Sequence, residues 1–483
     1  MSIPNITVSR KPPLKVWIVA LTCAMYLPMM GRGFVHDDYL LLCSSAFTSI
    51  RSGLTRADIF YTPVAWLTYK ADWMLWGPNP FALAAMNLSL HIINILLLYY
   101  MAWWFSKSAL AAWWTAFGFA LLFPANTWAV MWVATRAHLL VTAFDLAAMI
   151  ATFWFIRTKQ SRFFPAVAIV AFAGLSIFSK ENGITIPVIV GTILIYNRIS
   201  RDRRSVPLAP VMGVIGAIAG IGVIYLLLRA QSGAAPFQIG DGTGHTYVLS
   251  PNVLIENTLR YFWRTFGLLS ALAVAVVLSQ FIRGQRPSLK GLLKKDVLFS
   301  AFLFMVTLSP VVLMRSRSGI YTYLPGIFAA LLFGVTVRAL YENEREIAAP
   351  KRRAMLGAVP VLIAIAIFIA FTVGYSKRWK VMAETNSTLM NQIATQQRAF
   401  PNYALIVLTY DDADAVHRFP NGFGDWGFGY GIKVLYRDPG AEGIVIPKGA
   451  AFITNGRSPL IHFKYGLDSN GSPQAIRTGE EIP

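Results

Sequence analysis

Val16-Trp17-Ile18-Val19-Ala20-Leu21-Thr22-Cys23-Ala24-Met25-Tyr26-Leu27-Pro28-Met29-Met30 is an apolar run without a charge, and Phe34-Val35-His36-Asp37-Asp38-Tyr39 follows it almost at once. The run has the composition of a segment that enters a bilayer. The adjacent carboxylates beyond it are costly there. They lose solvation if drawn toward lipid and repel each other when both are ionised. A pair of acids at a membrane exit points to a reaction centre. The fold around it depends on how often the apolar run recurs.

It recurs along most of the chain. Of 483 residues, 55% are hydrophobic and only 14% charged. Crossing about 30 Å of hydrocarbon takes about 17–25 apolar residues. Such runs are Val16–Met30, Phe81–Phe105, Ala109–Pro124, Leu139–Ile156, Phe163–Phe178, Gly183–Tyr196, Leu208–Leu228, Phe262–Ile282, Val297–Met314, Tyr323–Leu340 and Met355–Tyr375. They predict a polytopic α-helical membrane protein of about eleven transmembrane helices, some short enough to be re-entrant.

Charge orients these helices. Basic clusters stand at Arg10, Lys11 and Lys15, at Arg157, Lys159 and Arg162, and at Arg198, Arg201, Arg203 and Arg204. Further clusters are Arg283, Arg286, Lys290, Lys294 and Lys295, and Arg345, Lys351, Arg352 and Arg353. Counting runs from the N-terminus puts all of them on one side. By the positive-inside rule that side is the cytoplasm, with the N-terminus inside and the C-terminal tail outside. The net charge of +20 is then a topology signal rather than a sign of nucleic-acid binding. The first run leads into the acidic motif without a small-residue cleavage site, so it reads as a retained helix. Cys23 and Cys43 are poorly placed to pair. No zinc pattern, Walker loop or dinucleotide fingerprint is present, so the nucleotide-binding machinery of a primary pump is absent.

The outer loop 31–80 is long and rich in aromatics, and Val64–Trp76 has the spacing of an interfacial amphipathic helix. On this topology Asp37, Asp38, Arg136, Lys180, Glu181, Arg260, Arg264, Arg315 and Arg317 lie at one face of the membrane. A carboxylate there can act as general base on a hydroxyl. Cations can hold the phosphate of a lipid-linked donor as it leaves. His36, Tyr39, His138, Tyr321 and Tyr323 stand beside these groups as candidates for positioning substrate, as does Glu181. Plainer readings exist for some. Arg136, Arg315 and Arg317 can pair with lipid phosphates. Lys180–Glu181 can be a structural ion pair, and Arg260 and Arg264 share a solvated helix face. The stripe Asn87, His91 and Asn94 reads as helix-to-helix packing.

Several stretches together resemble the GT-C superfamily of membrane glycosyltransferases, and within it the TMTC-type and PMT-type O-mannosyltransferases and their bacterial relatives. Phe34-Val35-His36-Asp37-Asp38 resembles the acidic motif of the first outer loop. Leu75-Trp76-Gly77-Pro78-Asn79-Pro80-Phe81, with Asn87-Leu88-Ser89-Leu90-His91-Ile92-Ile93-Asn94, is similar to the entry into the second span. Phe123-Pro124 through Thr135-Arg136, Ser179-Lys180-Glu181-Asn182 and Tyr321-Thr322-Tyr323-Leu324-Pro325 match further motifs, over roughly Leu14 to Leu340. The resemblance implies an inverting, metal-independent transfer of sugar from a polyprenyl-phosphate donor to a protein, lipid or glycan acceptor. It implies Asp37 as base, with Asp38 positioning the acceptor or sharing that role, and Arg136, Lys180, Arg315 and Arg317 toward the donor phosphate. It also implies a bacterial inner membrane, with the site facing the periplasm. The chain departs from the pattern at Tyr61-Thr62-Pro63, where relatives often have Tyr-Arg-Pro, and at Phe123-Pro124, where they have His-Pro. No TPR repeat follows the membrane part.

From Ser376 the composition changes, which divides the chain into a transmembrane domain (1–375) and a small extracytoplasmic α/β domain (376–483). Arg378–Ala399 reads as a helix. Tyr403–Tyr410, Gly431–Tyr436, Gly443–Ile446 and Ile461–Tyr465 read as strands, with Ile461, Phe463 and Tyr465 facing the core. Asp411, Asp412 and Asp414 read as a turn. Phe423, Trp426, Phe428 and Tyr430 suit either core packing or stacking on sugars. A transporter or flippase for lipid-linked saccharides, or a polymer ligase, remains the alternative to a glycosyltransferase. A transporter would more often show inverted repeats and mid-membrane charges.

Overall fold

The structure is a computed structural model. It describes residues 14–478 except 58–59, 159–160, 200–205, 235–246, 249, 285–294, 316, 342–350, 400–403, 411–426, 448–459 and 469–471. The tail acids Asp411, Asp412 and Asp414 and the rings of Phe423 and Trp426 lie outside the described residues.

Each apolar run read from the sequence forms a helix. In chain order these are α1 (Leu14–Tyr26), α5 (Pro80–Ser106), α6 (Ala109–Ala120), α8 (Arg136–Arg157), α9 (Phe163–Ser179) and α10 (Ile186–Ile199). They continue with α11 (Leu208–Gln231), α12 (Pro251–Ile282), α13 (Lys295–Val312), α14 (Tyr323–Tyr341) and α15 (Lys351–Gln396). Shorter helices α2 (Asp38–Phe47), α3 (Ile50–Thr55) and α4 (Pro63–Trp76) fill the first loop, and α7 (Ala125–Met131) follows α6 at a 64° bend. Among the described residues, seven helices are long and apolar enough to cross a membrane, or eight if the bent pair counts as one crossing. The chain is thus a multi-pass membrane protein. Length alone supports fewer crossings than the eleven or so read from the sequence, because α1, α9 and α10 have only 13, 17 and 14 residues.

Local chemistry sets the helix ends. Asn79 caps α5 by accepting from the Phe81 and Ala82 amides at 3.1 and 3.2 Å, and Pro80 supplies the preset first turn. α14 and α8 are the most enclosed spans and α15 and α11 among the least. Gly334 lets α14 meet α6, since an added Cβ would lie 2.1 Å from the Thr115 hydroxyl. The polar stripe of α5 ties helices together. Asn87 donates to the Ala129 and Trp132 carbonyls at 3.1 Å each, Asn94 to the Leu139 carbonyl at 3.0 Å, and His91 Nδ1 meets the Tyr323 hydroxyl at 2.8 Å.

α15 runs unbroken past residues 375 and 376 for 46 residues in all. Beyond it lies a four-stranded sheet in the order β2-β1-β3-β4, with β1 (Leu405–Tyr410), β2 (Glu442–Pro447), β3 (Leu460–Leu467) and β4 (Pro473–Arg477). β1 is parallel to β2 and β3, and β4 is antiparallel to β3. The central β1 is buried on both faces, which explains its unbroken apolar sequence. Ile461, Phe463 and Tyr465 face the core as expected. Gly431–Tyr436 is no strand. It belongs to α16 (Gly427–Tyr436), whose buried residues Gly427, Phe428, Gly431 and Ile432 follow helical spacing.

Candidate active site

Asp38 opens α2 and anchors the acidic loop. Its Oδ2 accepts the Val35 amide at 3.0 Å and its Oδ1 the Ala134 amide at 2.7 Å, which pins the loop to the approach to α8. It is 1% exposed. Burial pushes its carboxyl up to about 8, against the pull of the Val35 and Ala134 amides and the Arg136 charge, while Asp37 adds to the rise. Asp37 is the N-cap residue of α2, but its side chain makes no capping bond, and it is the more accessible acid. The two neighbours therefore have unlike surroundings.

A pH dependence follows from Asp38. With a folded-state pKa raised to about 8, the native protein holds a proton that the unfolded chain has already lost. This contribution to stability is complete below the ordinary carboxylate range and is lost as pH rises through about 8. Melting of the purified protein followed from pH 5 to pH 9 should show a decline that Asp38→Asn lacks. Parallel curves for the two proteins would refute it.

His36 takes a left-handed backbone (φ 48°), with its ring against Trp132 and Trp379 at 5.7 and 6.0 Å. Burial holds it below the ordinary imidazole range, with Asp37 pulling the other way. Tyr39 is buried, and burial raises its hydroxyl pKa.

A cationic cluster lies at the same end of the bundle. Lys180, at the end of α9, pairs with Glu181 at 3.5 Å and lies 3.5 Å from the centre of the Phe60 ring in the first loop. Glu181 also reaches Arg229 in the last turn of α11 at 3.9 Å. One carboxylate thus gathers two cations, leaving the cluster net positive. His138 lies buried in the first turn of α8 with its ring 6.1 Å from Tyr321. An apolar groove of about 990 Å³ between α9 and α11 ends at Phe178, next to this cluster. Phe163, Val167, Val170 and Gly174 line one side, and Gly213, Val214 and Ile221 the other.

Other expected site residues are held by partners of their own. Arg136 is fully buried and ion-paired to Asp72 of α4 at 2.6 Å. It donates to Asn87 Oδ1 at 2.9 Å and the Leu83 carbonyl at 3.2 Å, and stacks on Tyr69 at 4.5 Å. These partners occupy the guanidinium, so it is not the surface cation the sequence suggested. Tyr323 is likewise deep inside, bonded to His91 and to Asn94 at 3.2 Å, because it opens the most enclosed helix. Arg317 grips Glu256 through two bonds of 2.6 and 2.7 Å, and Arg260 shares that carboxylate at 3.0 Å. Arg264 is one turn further along α12, and Arg315 is exposed. The carboxylate that Arg317 and Arg260 share is Glu256, whereas Lys180 pairs with Glu181. Sequence reasoning missed Asp72 and Arg229. The only signals were an acid on the buried side of an amphipathic helix and a lone base ending an apolar run.

No family model matches the chain. Over 217 residues it is 28% identical to Protein O-mannosyl-transferase TMTC1 of Homo sapiens, covering 39% of this chain and 24% of that protein. The mouse protein of the same name is 27% identical over the same length. The chain spans about a quarter of the length of the curated relatives it matches. The crystal structure of ArnT from Cupriavidus metallidurans bound to undecaprenyl phosphate matches with a TM-score of 0.51 at 15% identity, over 93% of this chain and 92% of that one. The chain shares the overall fold of that structure. In this chain the acidic loop and the Lys180–Glu181–Arg229 cluster share one end of the bundle, joined through Phe60 and the start of α8.

Proposed function

We propose that this protein transfers a sugar from a polyprenyl-phosphate donor to an acceptor hydroxyl on a protein, lipid or glycan. The observation that carries the reading is an accessible Asp37, beside an anchored Asp38, at the bundle end that also holds the Lys180–Arg229 cluster and the mouth of the α9–α11 groove. The O-mannosyl-transferase relatives and the undecaprenyl phosphate bound to ArnT support it.

In this reading Asp37 takes the proton of the acceptor hydroxyl as its oxygen attacks the anomeric carbon. The bond from that carbon to the phosphate oxygen breaks, and the phosphate leaves with the bonding electrons, inverting the centre. Lys180 and Arg229 meet the developing charge, so the step needs no metal. The polyprenyl tail lies in the groove, which follows α9 for roughly 22 Å at 1.5 Å per residue. In this reading the N-terminus lies in the cytoplasm, as the positive-inside rule supports, the short helices α1, α9 and α10 complete the eleven crossings, and the site faces the periplasm of the bacterial inner membrane that the family resemblance suggests. Residues 1–375 form the transferase domain and 376–483 the extracytoplasmic one.

The test is transfer of radiolabelled sugar from a panel of polyprenyl-phosphate sugars in proteoliposomes. Transfer by the wild type establishes the activity. Lipid movement across the bilayer without transfer would replace this reading with the flippase. Hydrogen bonds to charged groups are worth about 1.5–3 kcal/mol, so Lys180→Ala or Arg229→Ala should raise the donor KM about 10- to 100-fold. Arg317→Ala, which loses bonds to Glu256 and Asn257 instead, should not. Equal effects from all three would move the phosphate site.

A further inference from the structure

The acidic loop is held from the side opposite the bundle, by the part of α15 that lies beyond residue 376. Asn386 Nδ2 donates to the Phe34 carbonyl at 2.9 Å, and the Asn386 side chain also hydrogen-bonds the Tyr39 hydroxyl. Gly33 lies so close to α15 that an added Cβ would stand 2.3 Å from the Ala383 carbonyl oxygen, and its φ of 151° disfavours a side chain. Trp379 closes over His36, with its ring stacked on Trp132 at 5.9 Å. The ties to Phe34 and Tyr39 and the ring contacts of His36 thus bracket Asp37 along the chain.

The same stretch of α15 carries the sheet. Gln392 accepts the Ala475 amide at 2.6 Å and donates to the Pro473 carbonyl at 3.4 Å. Gln396 accepts the Arg477 amide at 2.9 Å and donates to the Ala475 carbonyl at 2.6 Å. Side-chain amides one turn apart on one helix face so take the place of a neighbouring strand along β4. On the far side Gly431 of α16 abuts Tyr39, where an added Cβ would come within 3.2 Å of the ring. Loop, helix and sheet are joined by direct hydrogen bonds and close packing.

The geometry points to Asn386 as a positioning residue for Asp37, making the C-terminal unit a brace that sets the rate of transfer without touching the donor. This rests on the transferase reading above. A displacement of about 1 Å in a reacting group can cost about a hundredfold in rate. Asn386→Ala removes the tie, and Gly33→Ala pushes the loop off α15 from the other side. Both should lower the melting temperature somewhat, and in the protein that folds both should lower kcat about 10- to 100-fold while leaving donor affinity near wild type. Both should also speed hydrogen exchange at the Val35, Asp38 and Tyr39 amides. Unchanged exchange and kcat in both variants would overturn the proposal, as would a matching loss of donor affinity. If the wild type transfers no sugar, the transferase reading fails, and hydrogen exchange alone decides whether Asn386 orders the loop.

Discussion

Asp37→Asn should abolish most transfer while leaving donor binding intact. An amide cannot accept the hydroxyl proton, and general-base catalysis is worth about 10²–10⁴ in rate. The loss should fall on kcat and kcat/KM alike, because proton transfer is made only in the transition state. The fold should survive, since the Asp37 side chain caps nothing and the loop is anchored by Asp38. Asp38→Asn should behave differently. An amide offers one oxygen where two backbone N–H groups now find acceptors, so one amide loses its partner and the yield of folded protein falls. Normal turnover by Asp37→Asn would transfer the base to Asp38. Loss of donor affinity in Asp37→Asn would mean that the acid holds substrate rather than a proton. Only a kcat loss with retained binding agrees with the role given to Asp37.

The sequence made the helices legible because a bilayer demands long apolar runs and little else has that composition. It made the acidic pair legible because adjacent carboxylates at a membrane edge need a reason. It was weaker where the answer lay in contacts between distant residues. Arg136 looked like an exposed cation because nothing in its neighbourhood along the chain reveals Asp72. Arg229 drew no reading of its own, because nothing near it along the chain reveals that Glu181 joins it to Lys180. Gly431–Tyr436 is a short apolar run of the kind that suits either a strand or a helix, and only packing against β2 and α2 decides it. The tie from Asn386 to Phe34 joins residues 352 apart in the chain, beyond the reach of any local pattern. The continuity of α15 through residue 376 was hidden as well. The change of composition there marks a change of surroundings along one helix.

Asp72→Ala should destabilise the fold more than any of the substitutions above. It would leave the Arg136 guanidinium, at 0% exposure, without its counter-ion. Breaking a buried pair from one side typically costs about 3–5 kcal/mol, because the remaining charge stays desolvated. The damage should spread, since Arg136 also holds Asn87 and Leu83 of α5 and lies against Tyr69, whose hydroxyl donates to the Val133 carbonyl at 2.8 Å. Those contacts fix the turn that presents the Ala134 amide to Asp38, so loosening them should also free the acidic loop. The double variant Asp72→Leu/Arg136→Met should recover part of the loss by removing both charges, but not all of it, because the buried Asn87 Oδ1 would then lose the donor that Arg136 supplies. Thermal melting in detergent measures this directly. The protein that remains folded should bind donor as the wild type does. Should Arg136→Met instead leave the melting curve in place and abolish donor binding, the guanidinium would be a phosphate ligand after all, and the buried pair a resting arrangement that substrate displaces.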